Sequence, residues 1–254
     1  MPETLKLLTY NIQVGIPMEA AHHYLLRSWR HFFPHAGRLD NLKKIAEVLK
    51  NYDFVGLQEV DAGSLRSSFI NQISYLGKCA GFLCWEAQVN RNLKLYAKYS
   101  NGLLSRQPIS HYQAHPLPGK FKGRGVMVCV MGPADNPILI AVAHLALTEN
   151  AQKVQLAYIA ELVKEFKKEF QHVIVMGDLN LEPGKLQKLF LDQTGLISNV
   201  PDQLTYPSWK PTRKLDYVLT SPSLKVIKAE VLSLGFSDHL PVSVEIEWPA
   251  KSDS

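Results

Sequence analysis

Apolar runs that stop abruptly at a polar residue organise this chain. The run from Leu5 to Tyr10 leads into Asn11, Phe54 to Gln58 into Glu59, and Ile138 to Ala143 into His144. Val173 to Gly177 leads into Asp178, with Asn180 two residues on. Near the C-terminus the order reverses: Asp216 precedes Tyr217-Val218-Leu219, and Asp238-His239 precedes the run from Leu240 to Val244. Runs of this length predict strands. Strand termini are where a rigid sheet presents polar side chains to a cleft. Four ends and two starts fall on one edge if the last strands run antiparallel to the others. The pattern therefore predicts a single polar edge of carboxylates, amides and two histidines, which reads as an active site.

Between these runs the apolar spacing becomes helical. Leu39, Leu42, Ile45, Ala46 and Leu49 form one stripe, with Asp40, Lys43, Lys44 and Glu47 on other faces. Phe69, Ile70, Ile73, Leu76 and Ala80 form a second. The longest predicted helix runs from about Glu149 to Phe170, with Leu156, Ile159, Leu162, Val163, Phe166 and Phe170 inward and Lys164, Lys167 and Lys168 on a solvated face. Alternation of strands and helices without a Gly/Pro/Ser-rich linker predicts an α/β fold built as one domain over residues 1–254, with a frayed tail at about 249–254. One segment departs from the alternation. Residues 14–38 hold His22, His23, Arg27, Trp29, Arg30, His31, Phe32, Phe33, Pro34, His35 and Arg38 between the first strand and the first helix, and a loop of this length is usually functional or mobile.

Composition narrows the class without choosing a substrate. At 254 residues and 46% hydrophobic, the chain buries a large core without crosslinks. A net charge of +5 suits an anionic partner but does not single out nucleic acid. The three cysteines, Cys79, Cys84 and Cys129, lack paired metal-ligand spacing, which points to structural thiols in a reducing compartment. No apolar run approaches the roughly 20 residues of a membrane span, and Met1-Pro2-Glu3 enters a strand directly, without a signal-peptide pattern. These features predict a cytoplasmic location.

The residue types on the predicted edge have a chemical logic. Glu59 facing Asn11 is oxygen-only ligation, which favours Mg²⁺ or Mn²⁺ over zinc. A solvated acid at a strand end is the alternative. Asp178 and Asn180, two apart, point the same way on an extended chain and can polarise a water for in-line attack; an Asx turn is the alternative. If the starts at Asp216 and Asp238-His239 are neighbours, Asp216 can fix the tautomer of His239 and raise its pKa. A protonated His239 then stabilises charge on a phosphoryl oxygen. His144 can serve the leaving group, or simply sit in the core.

Taken in order, Thr9-Tyr10-Asn11, Leu57-Gln58-Glu59-Val60, Asn101-Gly102-Leu103-Leu104-Ser105-Arg106, His144, Gly177-Asp178-Leu179-Asn180, Leu215-Asp216-Tyr217 and Ser237-Asp238-His239-Leu240-Pro241 resemble the endonuclease/exonuclease/phosphatase superfamily. The pieces span nearly the whole chain. The resemblance implies a four-layer α/β sandwich of two mixed sheets packed face to face with helices outside, and Mg²⁺-dependent phosphoester hydrolysis. It implies Glu59 as principal metal ligand with Asn11 beside it and Asp238 metal-linked. It makes Asp178 the group that orients or deprotonates the attacking water and Asn180 a holder of water or phosphate. His239, paired with Asp216, contacts the phosphoryl group, and His144 lies near the leaving group. Asn101 and Arg124 are the candidate phosphate contacts, Arg124 alternatively a structural salt bridge.

The family fixes the reaction better than the substrate. Leu181-Glu182-Pro183-Gly184 and Thr205-Tyr206-Pro207-Ser208-Trp209-Lys210-Pro211 depart from the segments usual in abasic-site repair enzymes. Together with Asp61, Arg66 and Lys122-Gly123-Arg124-Gly125, they look more like small bacterial members near the sphingomyelinase branch. The expected activity is a phosphodiesterase acting on a lipid headgroup, a nucleic acid or a small diester. A DNA or RNA nuclease is the alternative, with an inositol- or sugar-phosphate monoesterase or a silent binding module behind it. Nothing in the sequence calls for an obligate protein partner.

Overall fold

A computed structural model describes residues 4–16, 36–119, 123–200 and 203–248. The basic and aromatic residues 17–35 of the long segment, Lys122, and the tail at 249–254 lie outside the described residues.

Among the described residues, twelve strands form two six-stranded sheets. The first contains β1 (Thr4–Asn11), β2 (Phe54–Asp61), β3 (Cys84–Asn92), β4 (Lys98–Ser105), β11 (Val226–Val231) and β12 (Val242–Glu247), in the order β11-β12-β1-β2-β4-β3. The second contains β5 (Ile109–Pro116), β6 (Gly125–Met131), β7 (Ile138–His144), β8 (His172–Asp178), β9 (Ile197–Ser198) and β10 (Asp216–Thr220), in the order β5-β6-β7-β8-β10-β9. Each sheet has a parallel pair at its centre, β1/β2 and β7/β8, flanked by antiparallel strands. The antiparallel β10 and β12 start where β8 and β1 end, as the polar-edge argument requires.

Three apolar clusters account for the layers. Leu5 and Leu7 of β1 meet Met127, Ile140, Ile174 and Met176 of the second sheet in the central one. Leu8, Tyr10 and Leu57 point the other way, toward Leu42 and Ile45 of α1 (Ala36–Leu49) and Ile73 and Leu76 of α2 (Gln72–Ala80). On the far side, Leu156, Ile159 and Val163 of α3 (Glu149–Phe166), with Phe190 of α4 (Lys185–Thr194), cover Leu139, Ala141 and Val175. The result is the expected helix–sheet–sheet–helix sandwich. Alternating strand side chains go to opposite layers, so strands buried on both faces read as continuous apolar runs. The sheets approach closely at Gly56, where an added Cβ would lie 2.9 Å from Val142 Cγ1.

Two helix boundaries differ from expectation. α2 starts at Gln72 rather than near Phe69, because the Asn71 side chain caps it by accepting from the amides of Ile73 and Ser74. Phe69 is left-handed and exposed. α3 ends at Phe166, and residues up to Phe170 form turns that still pack Phe170 against the core. All three cysteines are free thiols, and burial pushes the Cys129 thiol up to about 12, which makes it inert. Among the described residues no helix is long and apolar enough to cross a membrane.

Candidate active site

The carboxyl ends of the two central parallel pairs meet at one edge, and the Asp178 carboxylate is where their polar side chains converge. Asn11 at the end of β1 donates from Nδ2 to Asp178 Oδ2 at 3.0 Å. His144 Nε2, at the end of β7, lies 3.4 Å from the same oxygen, and His239 Nε2 lies 3.8 Å from it. The other oxygen, Oδ1, accepts the backbone N–H of Asn180 at 3.0 Å. That contact is an Asx turn. Asn180 adopts φ +49°, so the chain is not extended there and the two side chains do not run in parallel. The Asn180 amide nitrogen turns back to the Leu145 carbonyl at 3.0 Å. Preceding them, Gly177 sits at φ +143°, where a Cβ would fall 1.9 Å from the Ala143 carbonyl oxygen, so only glycine lets β8 deliver Asp178 against β7.

His239 Nδ1 is 2.9 Å from Asp216 Oδ2. The two do not come from neighbouring strand starts, as the sequence suggests. Asp216 opens β10 in the second sheet, whereas Asp238-His239 lies in the loop before β12 in the first, with β11 intervening in sequence. The pair therefore bridges the two sheets. A residue missed by sequence reasoning holds it in place: Thr205 Oγ1 accepts from the amides of Leu215 and Asp216, and its carbonyl accepts from Leu240. Beside it the Tyr206 ring packs on His239, centroids 4.9 Å apart. Asp238 accepts from Gln13 Nε2 at 2.8 Å, and Ser237 Oγ donates to the Asn11 carbonyl at 2.7 Å. Gln13 gives no sequence signal, because it lies past the apolar run on a single 3-10 turn.

Glu59 does not end its strand. β2 continues to Asp61, and its pairing with β4 shifts register between Leu57 and Val60. Glu59 sits in that bulge at φ +53°. A bulge re-aims a side chain without ending the strand, and an alternating pattern cannot announce it. Glu59 lines a cavity of about 140 Å³ with Asn90, Arg91, Tyr99, Asn101, Arg124 and His144. Asn101 donates from Nδ2 to the Gly125 carbonyl at 3.1 Å and leaves its buried Oδ1 without a partner. Arg124 makes no carboxylate bridge among the described residues. Its guanidinium lies against the His144 ring, 2.9 Å from Nδ1. The same guanidinium nitrogen lies 2.6 Å from Nε2, and since guanidinium only donates, it meets the ring as a neutral imidazole.

Just past Glu59, Asp61 Oδ2 receives Arg66 Nε at 2.5 Å, and Ser64 and Ser67 donate to the same carboxylate. Arg66 also stacks on the Tyr99 ring at 4.0 Å. Burial alone would raise the Asp61 pKa, but the Arg66 bond and charge lower it on balance. Arg66→Ala is expected to destabilise the fold by about 3–5 kcal/mol, because it leaves a buried carboxylate uncompensated. A depressed folded pKa gives stability above the ordinary carboxyl value, lost as pH falls through the folded one. The melting-temperature gap between wild type and Arg66→Ala should therefore narrow below about pH 4. A gap that stays constant into acid would contradict this role.

The electrostatics of the edge are uneven. Burial, with Arg124 and His239 nearby, lowers His144 well below its usual value. Burial opposes charge on His239, but Asp216, Asp178 and Asp238 together raise it well above the usual value, so it is an imidazolium. Burial pushes Asp178 up to about 7, with His239 opposing and Asp216 and Glu59 adding to the rise. Asp238 rises to about 6 by burial, with His239 opposing and Glu59 adding. Glu59 makes no hydrogen bond or ion pair within the described residues. Four carboxylates thus share little positive charge, with oxygen donors predominating, and this set fits a divalent hard cation. Among the described residues, the one group of three donor atoms within 4.8 Å of one another is Asp178, Asp216 and His239. An imidazolium bound to Asp216 is a poor ligand, since coordination needs the neutral ring. Glu59, half-buried, is the carboxylate at this edge that makes no hydrogen bond or ion pair among the described residues.

The sequence profile described as the Endonuclease/Exonuclease/phosphatase family matches residues 8–239. No curated protein sequence matches the chain. Among solved structures, an endonuclease/exonuclease/phosphatase from Beutenbergia cavernae superposes with TM-score 0.73 at 20% identity, covering 100% of this chain and 74% of that one. The human Nocturnin catalytic domain with bound sulfate gives 0.71 at 19% identity, covering 97% and 94%. A mannosyl-6-phosphatase from Bacteroides thetaiotaomicron gives 0.71 at 16% identity, covering 95% and 99%. At such identities these structures share the fold. With the family match over nearly the whole chain and the polar edge built as described, the chain belongs to the endonuclease/exonuclease/phosphatase family and is a phosphoester hydrolase.

Proposed function

We propose that this chain is a Mg²⁺- or Mn²⁺-dependent phosphodiesterase in which water held at Asp178 attacks phosphorus in line. The observation that carries the reading is Asp178 Oδ2, faced by Asn11, His144 and His239. A carboxylate with a pKa near neutrality is poised to accept the proton of a water at that oxygen. Next to it, the His239 imidazolium donates to a phosphoryl oxygen, with Asp216 keeping it charged and oriented. His144, neutral and held by Arg124, would stand beside the leaving oxygen, with the Arg124 guanidinium as the hydrogen-bond donor there. Glu59, Asn11 and Asp238 would hold the cation, which supplies charge neutralisation at the phosphoryl oxygens. Asn180 contributes the turn that fixes Asp178, and Arg91 and Arg124 favour phosphate in the cavity.

Preference for a diester has separate support. A second cleft of about 390 Å³ is lined by Leu147, Asn180, Leu181, Lys185 and Arg213. Asn180 borders this cleft and His144 the first, and a diester carries a substituent on each side of phosphorus. The test is hydrolysis of bis-p-nitrophenyl phosphate beside p-nitrophenyl phosphate, supercoiled plasmid, sphingomyelin and inositol phosphates. Turnover of the diester that EDTA abolishes and Mg²⁺ or Mn²⁺ restores is expected. Mg²⁺ should also raise the melting temperature of the wild type more than that of Glu59→Gln, since a ligand bound only by the folded state stabilises it. Equal activity in EDTA, or an equal shift in the variant, would remove the metal assignment. Turnover of monoesters alone would point to a phosphatase, and selective nicking of plasmid to a nuclease.

A further inference from the structure

The first turns of α3 do something the rest of the helix does not. Where Leu156, Ile159 and Val163 enter the outer core, the preceding inward positions are two buried glutamines, Gln152 and Gln155. Buried amides are retained where they are hydrogen-bonded, and these are bonded to the backbone of the loops that carry the reacting groups. Gln152 Nε2 donates to the Ala146 carbonyl at 2.9 Å and to the Asn180 carbonyl at 2.6 Å. Gln155 Oε1 accepts the Ala146 N–H at 2.8 Å, and its Nε2 donates to the Pro118 carbonyl at 3.0 Å. Both backbone groups of Ala146, two residues past His144, are thus satisfied by side chains from one helix.

We infer that Gln152 and Gln155 are positioning residues that clamp the loops of His144, Asp178–Asn180 and Arg124 into one rigid unit. The inference rests on the reading of those residues as the reacting groups. Three segments are joined. The loop after β7 and the loop after β8 are already cross-tied by Leu145 N–H to the Asp178 carbonyl and by Asn180 Nδ2 to the Leu145 carbonyl. The third, after β5, is held by Leu117 N–H to the Arg124 carbonyl and by Gln155 at Pro118. Asn180 is left-handed, a conformation that persists only where its surroundings over-determine it, and Gln152 grips its carbonyl. Displacement of reacting groups by about 1 Å costs on the order of 100-fold in rate, so a clamp acting on these loops is felt in kcat.

The test compares Gln152→Leu, Gln152→Glu and Gln155→Leu with a core control on the same helix, Leu156→Ala, at a temperature where all are folded. With bis-p-nitrophenyl phosphate and Mg²⁺, Gln152→Leu should lower kcat by roughly 10- to 100-fold with KM changed by no more than about 2-fold. Leu156→Ala should lower the melting temperature by several degrees and leave kcat within about 2-fold of wild type. Gln152→Glu places an acceptor against two carbonyls and can donate only when protonated, so its kcat relative to wild type should rise as pH falls. Independently of turnover, hydrogen exchange at the Ala146 amide should accelerate in Gln155→Leu and not in Leu156→Ala. If kcat of folded Gln152→Leu stays within about 2-fold of wild type, if KM moves instead, or if Leu156→Ala loses as much kcat, the clamp is wrong. A wild-type chain without turnover would overturn the proposed reaction, and Ala146 exchange alone would then decide the clamp.

Discussion

Replacing Asp178 by asparagine is expected to lower kcat by at least about 10³-fold while making the protein more stable near pH 8 in the absence of divalent cation. Asparagine keeps the shape, and its single oxygen can still accept the Asn180 amide, so the Asx turn survives, while its NH2 takes the place of the oxygen that receives Asn11 Nδ2. What it lacks is the proton affinity needed at Oδ2. The gain in stability follows from linkage. Burial and the charges of Asp216 and Glu59 raise the Asp178 pKa to about 7 in the folded state despite His239. A raised carboxyl pKa means that stability is highest below the unfolded value, near 4, and is lost as pH climbs through the folded value. At pH 8 the wild type therefore bears the cost of a buried anion that the variant does not. A rise in melting temperature of about 3 °C or more corresponds to roughly 1 kcal/mol for a chain of this size. Mg²⁺ should reduce the difference by stabilising the wild type. Retained activity, or a variant less stable than wild type in EDTA, would contradict this account of Asp178.

Asp216→Asn is expected to cost about 10²- to 10⁴-fold in kcat and to reshape the pH profile. The proposed reaction needs Asp178 ionised and His239 charged, so kcat/KM should be bell-shaped, with limbs belonging to the coupled pair rather than to either residue alone. His239 keeps its proton far above the usual imidazole range because Asp216, Asp178 and Asp238 surround it. Activity that depends on the imidazolium persists until pH rises through that elevated pKa. Removing the Asp216 charge lowers it, so the alkaline limb of the variant should move to lower pH. An unshifted alkaline limb would mean that His239 does not act as the charged donor, even if the rate falls.

The candidate site was legible in the sequence because each polar group follows or precedes an apolar run in order along the chain. Asn11, His144 and Asp178 end strands and Asp216 starts one, all at the predicted edge. The rest was hidden because it depends on contacts between residues far apart in sequence. Nothing near Phe54–Val60 signals that β2 runs through Glu59 with a bulge, since the register of β4 sets it. A carboxylate and an amide two apart gave either a parallel pair or an Asx turn. The Leu145 carbonyl, 35 residues away, settles it in favour of the turn by engaging the Asn180 amide. Gln13, Thr205, Gln152 and Gln155 carry no motif of their own. Each is a common residue on a turn, loop or helix, and only its buried partner gives it a part in the site.

Local sequence determined the periodicity of this protein: which stretches alternate and which wind, where each must stop, and which side chains are too polar to follow their neighbours into the core. That much is fixed by backbone geometry and by the transfer of apolar surface from water, both of which act residue by residue. Tertiary structure alone decided how the charges are shared. Asn11 meets Asp178 across 167 residues and Gln13 meets Asp238 across 225. The histidines diverge, one neutral and one charged, because one faces an arginine and the other is ringed by carboxylates. The energy of a buried charge depends on what surrounds it in three dimensions, and the order of residues along a chain does not specify that until the two sheets close on each other.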